Sequence, residues 1–216
     1  MMRGLVVCTL MLALAGPAFG DVLGNPYDGV QTTGAMAQDF VWPGTDHLDI
    51  WVVSDFQTTQ DYYLHEVWSQ GWATNTNGQD GSGAVFDIYD GLPWDGGSIV
   101  LSAADGYDHL HAEGKIGADF GGATLPAGDY YIVYQAVHDF LMVAGNTVMY
   151  HTSYGDADDM QWNPGLGHNW GSDHRDVTLG DGTPIDVNWQ LEATPVPEPA
   201  ALAMLLASVG VLTRRR

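Results

Sequence analysis

The sequence predicts an all-β fold, an antiparallel β-sandwich with a jelly-roll-like strand order, and a closed barrel is the alternative. Short segments rich in β-branched and aromatic residues recur along the chain, and clusters of Gly, Asn, Asp and Pro separate them. No segment before Ala200 keeps a helical periodicity of apolar residues. Residues 21–194 are therefore expected to form one β-sandwich domain, which is long enough to bury its own core.

The strands are expected to follow an irregular entry segment that holds at most an edge strand near residues 40–42. The second strand alternates imperfectly, which predicts a β-bulge within it. Residues 130–137 are apolar on both faces and predict a central strand, with residues 147–152 pairing near it. The predicted strands are residues 48–53, 62–72, 84–89, 98–102, 109–120, 130–137, 147–152 and 185–192.

Residues 109–120 show the most regular alternation in the chain, with apolar residues at every second position from Leu110 to Phe120. This pattern predicts one strand with one face in the core and the other in solvent. His109, His111 and Glu113 would share the polar face, an arrangement similar to a cupin metal site. Tyr131 stands where that family carries a further histidine. We therefore interpret the face as solvated, and a cupin-like metal-dependent enzyme is an alternative.

The segment 155–182 is predicted to be a long loop with several carboxylates. Asp156, Asp158 and Asp159 lie close together in it, and carboxylates on one loop can gather a calcium ion. The strict EF-hand pattern is absent, and Asp-Gly pairs are more often turns than ligands. These three aspartates, with His109 and His111, are candidate metal ligands. We predict no cofactor, with calcium as the alternative.

Tryptophan is frequent, at 8 residues. Those within predicted strands are expected in the core, whereas Trp94, Trp162 and Trp170 lie in Gly-, Pro- and Asn-rich segments where a ligand could reach them. Exposed indole rings can stack on sugar rings, so a carbohydrate-binding module is a second alternative, with extracellular polysaccharide as its partner. No nucleophile elbow or phosphate-binding glycine loop occurs. We therefore predict no catalytic residue.

The N-terminal segment 1–20 has the features of a signal peptide. Arg3 lies in a basic start, an apolar run follows, and Ala18 and Gly20 form a small-x-small cleavage site before Asp21. Cys8, the single cysteine, lies inside this segment. The mature chain would therefore have no disulfide, and its stability would come from its core.

The C-terminal segment 195–216 has three parts in order: a Pro-Glu-Pro motif, an apolar stretch, and a basic end. The prolines prevent a helix from running through the motif, so a single apolar helix is expected only from Ala200 onward. The basic residues would remain on the cytoplasmic side of a bilayer. The motif residues are Val196, Pro197, Glu198 and Pro199, and the basic residues are Arg214, Arg215 and Arg216.

This tail resembles the sorting segment of PEP-CTERM proteins. The resemblance implies processing by an exosortase, a transient stay in the inner membrane, and delivery to the cell surface or exterior. Three short motifs that begin at Ser54, Asp87 and Pro126 also resemble parts of PEP-CTERM β-sandwich ectodomains. The resemblance of these three motifs implies no catalytic residue.

The formal net charge is −21, and between residues 21 and 196 Lys115 and Arg175 are the only lysine and arginine. Such an acidic surface repels nucleic acid and anionic lipid, so neither is an expected partner. Divalent cations and neutral polymers are compatible with it. We therefore predict an exported acidic surface or matrix protein with a structural or adhesive role.

Overall fold

The computed structural model describes residues 20–29, 33–39, 48–73, 80–137, 147–167 and 170–197. Within these ranges the chain forms strands and one 3-10 turn at Pro93–Asp95, and no α-helix. The strands are β1 (Asp21–Leu23), β2 (Gly34–Met36), β3 (Gln38–Asp39), β4 (Trp51–Thr58), β5 (Tyr62–Ala73), β6 (Gly83–Tyr89), β7 (Ile99–Ser102), β8 (Ala104–His109), β9 (Lys115–Leu125), β10 (Gly128–Val137), β11 (Thr147–Thr152), β12 (Met160–Trp162), β13 (His174–Asp176), β14 (Asp186–Val187) and β15 (Gln190–Pro195).

The strands form two sheets, and the architecture is consistent with a β-sandwich. The first sheet has the order β1-β15-β5-β11-β14, with β2 beside β11 and with β9 between β5 and β8. The second has the order β13-β12-β4-β10-β6-β7, with β3 beside β10. Within the described strands, pairing is antiparallel except for the short parallel contact between β3 and β10. The prediction of an all-β fold is confirmed.

Strand β10 lies between β4 and β6, so the prediction of a central strand there is confirmed. Its side chain Tyr134 is fully buried and stacks on Phe86 of β6, with ring centroids 5.1 Å apart. The Tyr134 hydroxyl donates to the carbonyl oxygen of Asn188 at 3.0 Å. Residues of both sheets join one apolar core, which holds the sheets together.

Strand β5 is the central strand of the first sheet, because it pairs with β9, β15 and β11. Its register with β9 shifts between Leu64 and Glu66, which confirms the predicted bulge. The shift allows Leu64 and Val67, three positions apart, both to be fully buried.

The prediction of one strand over residues 109–120 is wrong. Strand β8 ends at His109 and β9 begins at Lys115, and the chain reverses between them. The amides of Glu113 and Gly114 donate to the carbonyl oxygen of His109 at 2.7 and 3.0 Å, and Gly114 has a φ of 70°. Leu110 is buried while Ala112 is exposed, so the alternation in this part of the sequence does not reflect a strand.

Three further expectations need correction. The segment 155–182 is not a continuous loop, because β12 and β13 pair within it and β12 extends the second sheet from β4. Strand β11 does not pair near β10 but lies in the first sheet beside β5. The closing strand is divided into β14 and β15, and Asp186 and Asn188 are buried together with its apolar residues.

The first and last described strands pair with each other. Asp21 of β1 lies opposite Ala193 of β15, at the edge of the first sheet. Most of the predicted signal peptide, the predicted apolar helix from Ala200 and the predicted edge strand at 40–42 fall outside the described residues. Within the described ranges, no helix is long and apolar enough to cross a membrane.

Candidate functional site

The outer face of the second sheet contains a hollow with a volume of about 280 Å³. Successive side chains of β4 point to opposite faces of the sheet: Val52 and Phe56 pack toward the core, and Val53 and Asp55 face the hollow. The segment between β11 and β12 brings Asp158 to its rim. The hollow is lined by Val53, Asp55, Leu92, Tyr131, Asp158, Met160 and Asp176.

A cluster of five carboxylates adjoins this hollow. One oxygen each from Asp55, Asp156 and Asp158 lies within 4.8 Å of the others, and the same holds for Asp158, Asp159 and Asp186. Asp158 therefore joins an exposed group to a buried one. The structure brings the three predicted loop aspartates together and adds Asp55 from β4 and Asp186 from β14.

Asp186 holds the loop in position. Its Oδ2 accepts a hydrogen bond from the amide of Ala157 at 2.7 Å, and its Oδ1 accepts one from the amide of Asp158 at 3.1 Å. Gly155 has a φ of 102°, and a β-carbon there would lie 2.1 Å from Asp186 Oδ2. This close approach explains why glycine occupies the position.

Burial and like charge act together on these carboxylates. Burial, a hydrogen bond with Asp156 and the charges of Asp55, Asp156 and Asp186 raise the pKa of Asp158 to about 7. Burial, followed by the charge of Asp156, raises the pKa of Asp55. Burial raises the pKa of Asp159 well above its usual range, although the Ser54 hydroxyl and the Val187 amide act in the opposite direction.

Asp159 is the most deeply buried member, with 1% of its surface exposed. Its Oδ2 accepts a hydrogen bond from the amide of Val187 at 2.5 Å. Its Oδ1 has no hydrogen-bond partner among the described residues. An orphaned carboxylate oxygen in a protein interior is costly, so this atom requires an explanation.

The three predicted ligand-binding tryptophans are half-buried. Trp94 stacks on His174 with ring centroids 4.3 Å apart, and Trp162 lies 6.3 Å from Trp51. Because Trp162 is opposite both Trp51 and His174 in the sheet register, these four rings form a row across β4, β12 and β13. Trp170 is not part of the row, and the Arg175 guanidinium lies over its ring at 4.1 Å.

Of the candidate ligands, His109 is the last residue of β8 and His111 lies in the turn between β8 and β9. His111 is exposed, and His109 lies 3.7 Å from Glu113 across the turn. The basis for a shared strand face is wrong, because β8 ends at His109 and no strand continues from it to His111 and Glu113. The groups of possible metal ligands found in the described part of the chain contain aspartate only.

The described residues include part of each predicted processing site. Asp21, after the predicted signal cleavage, accepts a hydrogen bond from the Tyr62 hydroxyl at 2.8 Å. The amide of Val196 donates to the carbonyl oxygen of Asp61 at 2.9 Å. Ala18, Glu198, Pro199 and the three C-terminal arginines lie outside the described residues.

Comparison with family models, with curated proteins and with solved structures found no match to this chain.

Sequence reasoning missed Asp55 and Asp186 as members of the acidic cluster. More than 100 positions separate them in the chain, and only the approach of β4 and β14 to the loop brings them together. The alternation around Asp186 gave no signal, because it placed this residue on the polar face of the predicted strand, whereas Asp186 is buried.

Proposed function

We propose that the chain is an exported acidic protein of the PEP-CTERM class, with a structural or adhesive role at the cell surface or in the extracellular matrix. The observation that carries this proposal is the order of Pro-Glu-Pro, apolar stretch and arginine cluster in residues 197–216. Its partner in processing is an exosortase-type enzyme, met during a transient stay in the inner membrane. The jelly-roll-like strand order is part of the same proposal.

The boundaries of the described strands support this proposal. Strand β1 starts at Asp21, directly after the predicted signal cleavage site, and β15 ends at Pro195, directly before the sorting motif. Cleavage at both ends would therefore remove no residue of a described strand. The two ends leave the fold from paired strands, so processing would not disturb the core between the sheets.

The composition supports a non-catalytic role at the surface. The described strands contain Lys115 and Arg175 as their only lysine and arginine, against many exposed aspartates. A high negative charge keeps a protein soluble and separate from anionic surfaces. Neutral polysaccharide or divalent cations remain compatible partners.

Intact-mass analysis of the protein from the cell surface or culture fluid tests the proposal. We expect a chain that starts at Asp21 and lacks Arg214, Arg215 and Arg216. The variant Glu198→Ala should be exported but should stay at the inner membrane. Recovery of an exterior protein that still ends in the three arginines would contradict the sorting proposal.

The aromatic row favours carbohydrate binding as a second candidate function. Trp51, Trp162, His174 and Trp94 form the row next to a hollow whose carboxylates could accept hydrogen bonds from sugar hydroxyls. In a glycan array, Trp94→Ala should reduce binding. Trp170→Ala, the same change outside the row, is the matched control, and equal losses in both variants would argue against the row as the binding surface.

A further inference from the structure

The acidic cluster lacks a cationic partner among the described residues. The salt bridges between described residues do not include any of its aspartates, since Lys115 lies 3.6 Å from Glu113 and Arg175 donates to the side-chain oxygen of Gln161. The five aspartates are therefore held close together with no described positive charge to offset them. Carboxylates at such distances repel one another when they are ionised, and a bound cation would offset this repulsion.

The buried oxygen of Asp159 supplies an independent observation. Asp159 Oδ1 is inaccessible to solvent and has no hydrogen-bond partner among the described residues, while Oδ2 is held by the Val187 amide. The Asp159 side chain belongs to the buried half of the cluster, with Asp158 and Asp186. An ion that completes the site would account for a buried oxygen without a donor.

The spacing fits calcium. Calcium binds oxygens at about 2.3–2.6 Å, so two oxygens on one ion lie no more than about 5.2 Å apart. Oxygens of Asp158, Asp159 and Asp186 lie within 4.8 Å of one another. Asp186 already accepts two amide hydrogen bonds, but a carboxylate has about four acceptor positions, so it can also bind an ion.

The chemistry of the metal-binding side chains also indicates which metal fits the cluster. The cluster consists of carboxylates and contains no histidine, and zinc and copper sites are built mainly from nitrogen and sulfur ligands. Magnesium usually keeps several waters and uses one or two carboxylates. Several carboxylates on a loop that can adjust its geometry are typical of calcium.

We propose that Asp158, Asp159 and Asp186 bind one calcium ion, with Asp159 Oδ1 as its most buried ligand. Asp55 and Asp156 lie on the outer side of Asp158 and add negative charge at the entrance. The ion connects the β11–β12 segment to β14, and so fixes the rim of the hollow on the second sheet. This proposal does not depend on sorting or on glycan binding.

Calorimetric titration and thermal unfolding of the protein produced from the full chain, after EDTA treatment and dialysis, test the proposal. Titration with CaCl₂ should show saturable binding of about one ion, and calcium at about 100 times the Kd should raise the Tm by about 5 °C or more. Magnesium at the same concentration should give a smaller shift. Equal effects of the two ions would overturn the assignment to calcium.

The variant Asp159→Asn should weaken calcium binding at least about tenfold, because an amide replaces the buried charged ligand. Asp105→Asn, the same change at an exposed aspartate outside the cluster, should keep wild-type binding. If Asp159→Asn does not fold, Asp158→Asn serves in its place, since Asp158 is exposed. Absence of a Tm shift in wild type at millimolar calcium, unchanged binding in the cluster variant, or equal loss in Asp105→Asn would each overturn the proposal.

Discussion

Asn188 and Asp159 are buried polar side chains in the same part of the fold, and they differ in how completely they are hydrogen-bonded. The Asn188 amide donates to the carbonyl oxygens of Gln70 and Tyr150, each at 2.7 Å, and its oxygen accepts from the amide of Gln70 at 2.7 Å. Asp159 accepts one hydrogen bond of normal geometry, from the Val187 amide, and the Ser54 hydroxyl also interacts with the carboxyl. Its Oδ1 makes no hydrogen bond of normal geometry with a described residue.

The difference separates a structural polar site from a candidate binding site. Asn188 joins β5 to β11, and its backbone oxygen also accepts from Ser69 and from Tyr134 of the opposite sheet. Because its partners all belong to the chain, it needs nothing further. Asp159 lies among carboxylates that repel it, and the proposed calcium ion would complete its environment.

The comparison predicts that Asn188→Ala has the largest effect on stability. The substitution removes the side-chain partner of the amide and the carbonyl oxygen of Gln70, whereas the carbonyl oxygen of Tyr150 keeps its hydrogen bond from the Asn188 backbone amide. Each group left without a partner costs about 1–3 kcal/mol. We expect the free energy of unfolding to fall by about 3 kcal/mol, measured by urea denaturation. Glu192→Gln, at an exposed position of β15, should change it by less than about 0.5 kcal/mol.

A loss below about 1 kcal/mol in Asn188→Ala would contradict the structural role, because water would then replace the amide at little cost. The same variant also tests whether the two buried sites are independent. It should keep the calcium-dependent rise in Tm, since none of its lost hydrogen bonds involves the acidic cluster. Asp159→Asn should show the reverse: it should lose most of the calcium-dependent rise in Tm and should lower the free energy of unfolding without calcium by less than Asn188→Ala does.

Asp87 tests an intermediate case, a buried carboxylate on β6 between Val133 of β10 and Ser102 of β7. Burial raises its pKa, and a hydrogen bond with Ser102 opposes the shift. A carboxyl group whose pKa is raised by folding stabilises the fold below its unfolded pKa and loses that contribution as the pH rises through the folded value. At neutral pH its burial as an anion is therefore a net cost.

Asp87→Asn should consequently raise the free energy of unfolding at pH 7, by up to about 1 kcal/mol, since the amide keeps the shape and carries no charge. The gain over wild type should shrink as the pH falls to about 3. Denaturation measured at several pH values checks this. A variant that is destabilised at pH 7 would show that the Asp87–Ser102 interaction outweighs the cost of burying the charge.

The part of the fold that follows from local pattern was predictable. Strands β5, β6 and β10 were located within one or two residues, and the imperfect alternation in β5 did indicate its bulge. The turn at residues 110–114 was not predictable from alternation. It is held by contacts outside the strands, such as Asp80 Oδ1, which accepts from the amides of His111 and Ala112.

The acidic cluster was predictable only in part. Local density of aspartates indicated Asp156, Asp158 and Asp159, which lie together in the sequence. Asp55 and Asp186 join them through the packing of β4 and β14, which no local pattern encodes. Alternation in residues 185–192 predicted solvent exposure for Asp186 and Asn188, but both are buried. Asp186 accepts hydrogen bonds from the loop amides of Ala157 and Asp158, and Asn188, between β14 and β15, is bonded to Gln70 and Tyr150.

His109 and His111 can bind metals, but neither has a buried atom that lacks a hydrogen-bond partner. If such an atom is what marks a binding site in this protein, the two histidines should form none. His111 lies in the β8–β9 turn and His109 ends β8, where it has about half of its side chain exposed and lies 3.7 Å from Glu113. Exposed ion pairs of this kind contribute little to stability.

Changing both histidines to Gln keeps polar side chains and opens no cavity. The free energy of unfolding should therefore change by less than about 0.5 kcal/mol, and the metal content of the purified protein should stay the same. Loss of bound zinc, iron or manganese, or a destabilisation of several kcal/mol, would mean that the two histidines converge on a metal in solution. The contrast between a satisfied surface and an unsatisfied buried oxygen would then no longer identify the functional part of this molecule.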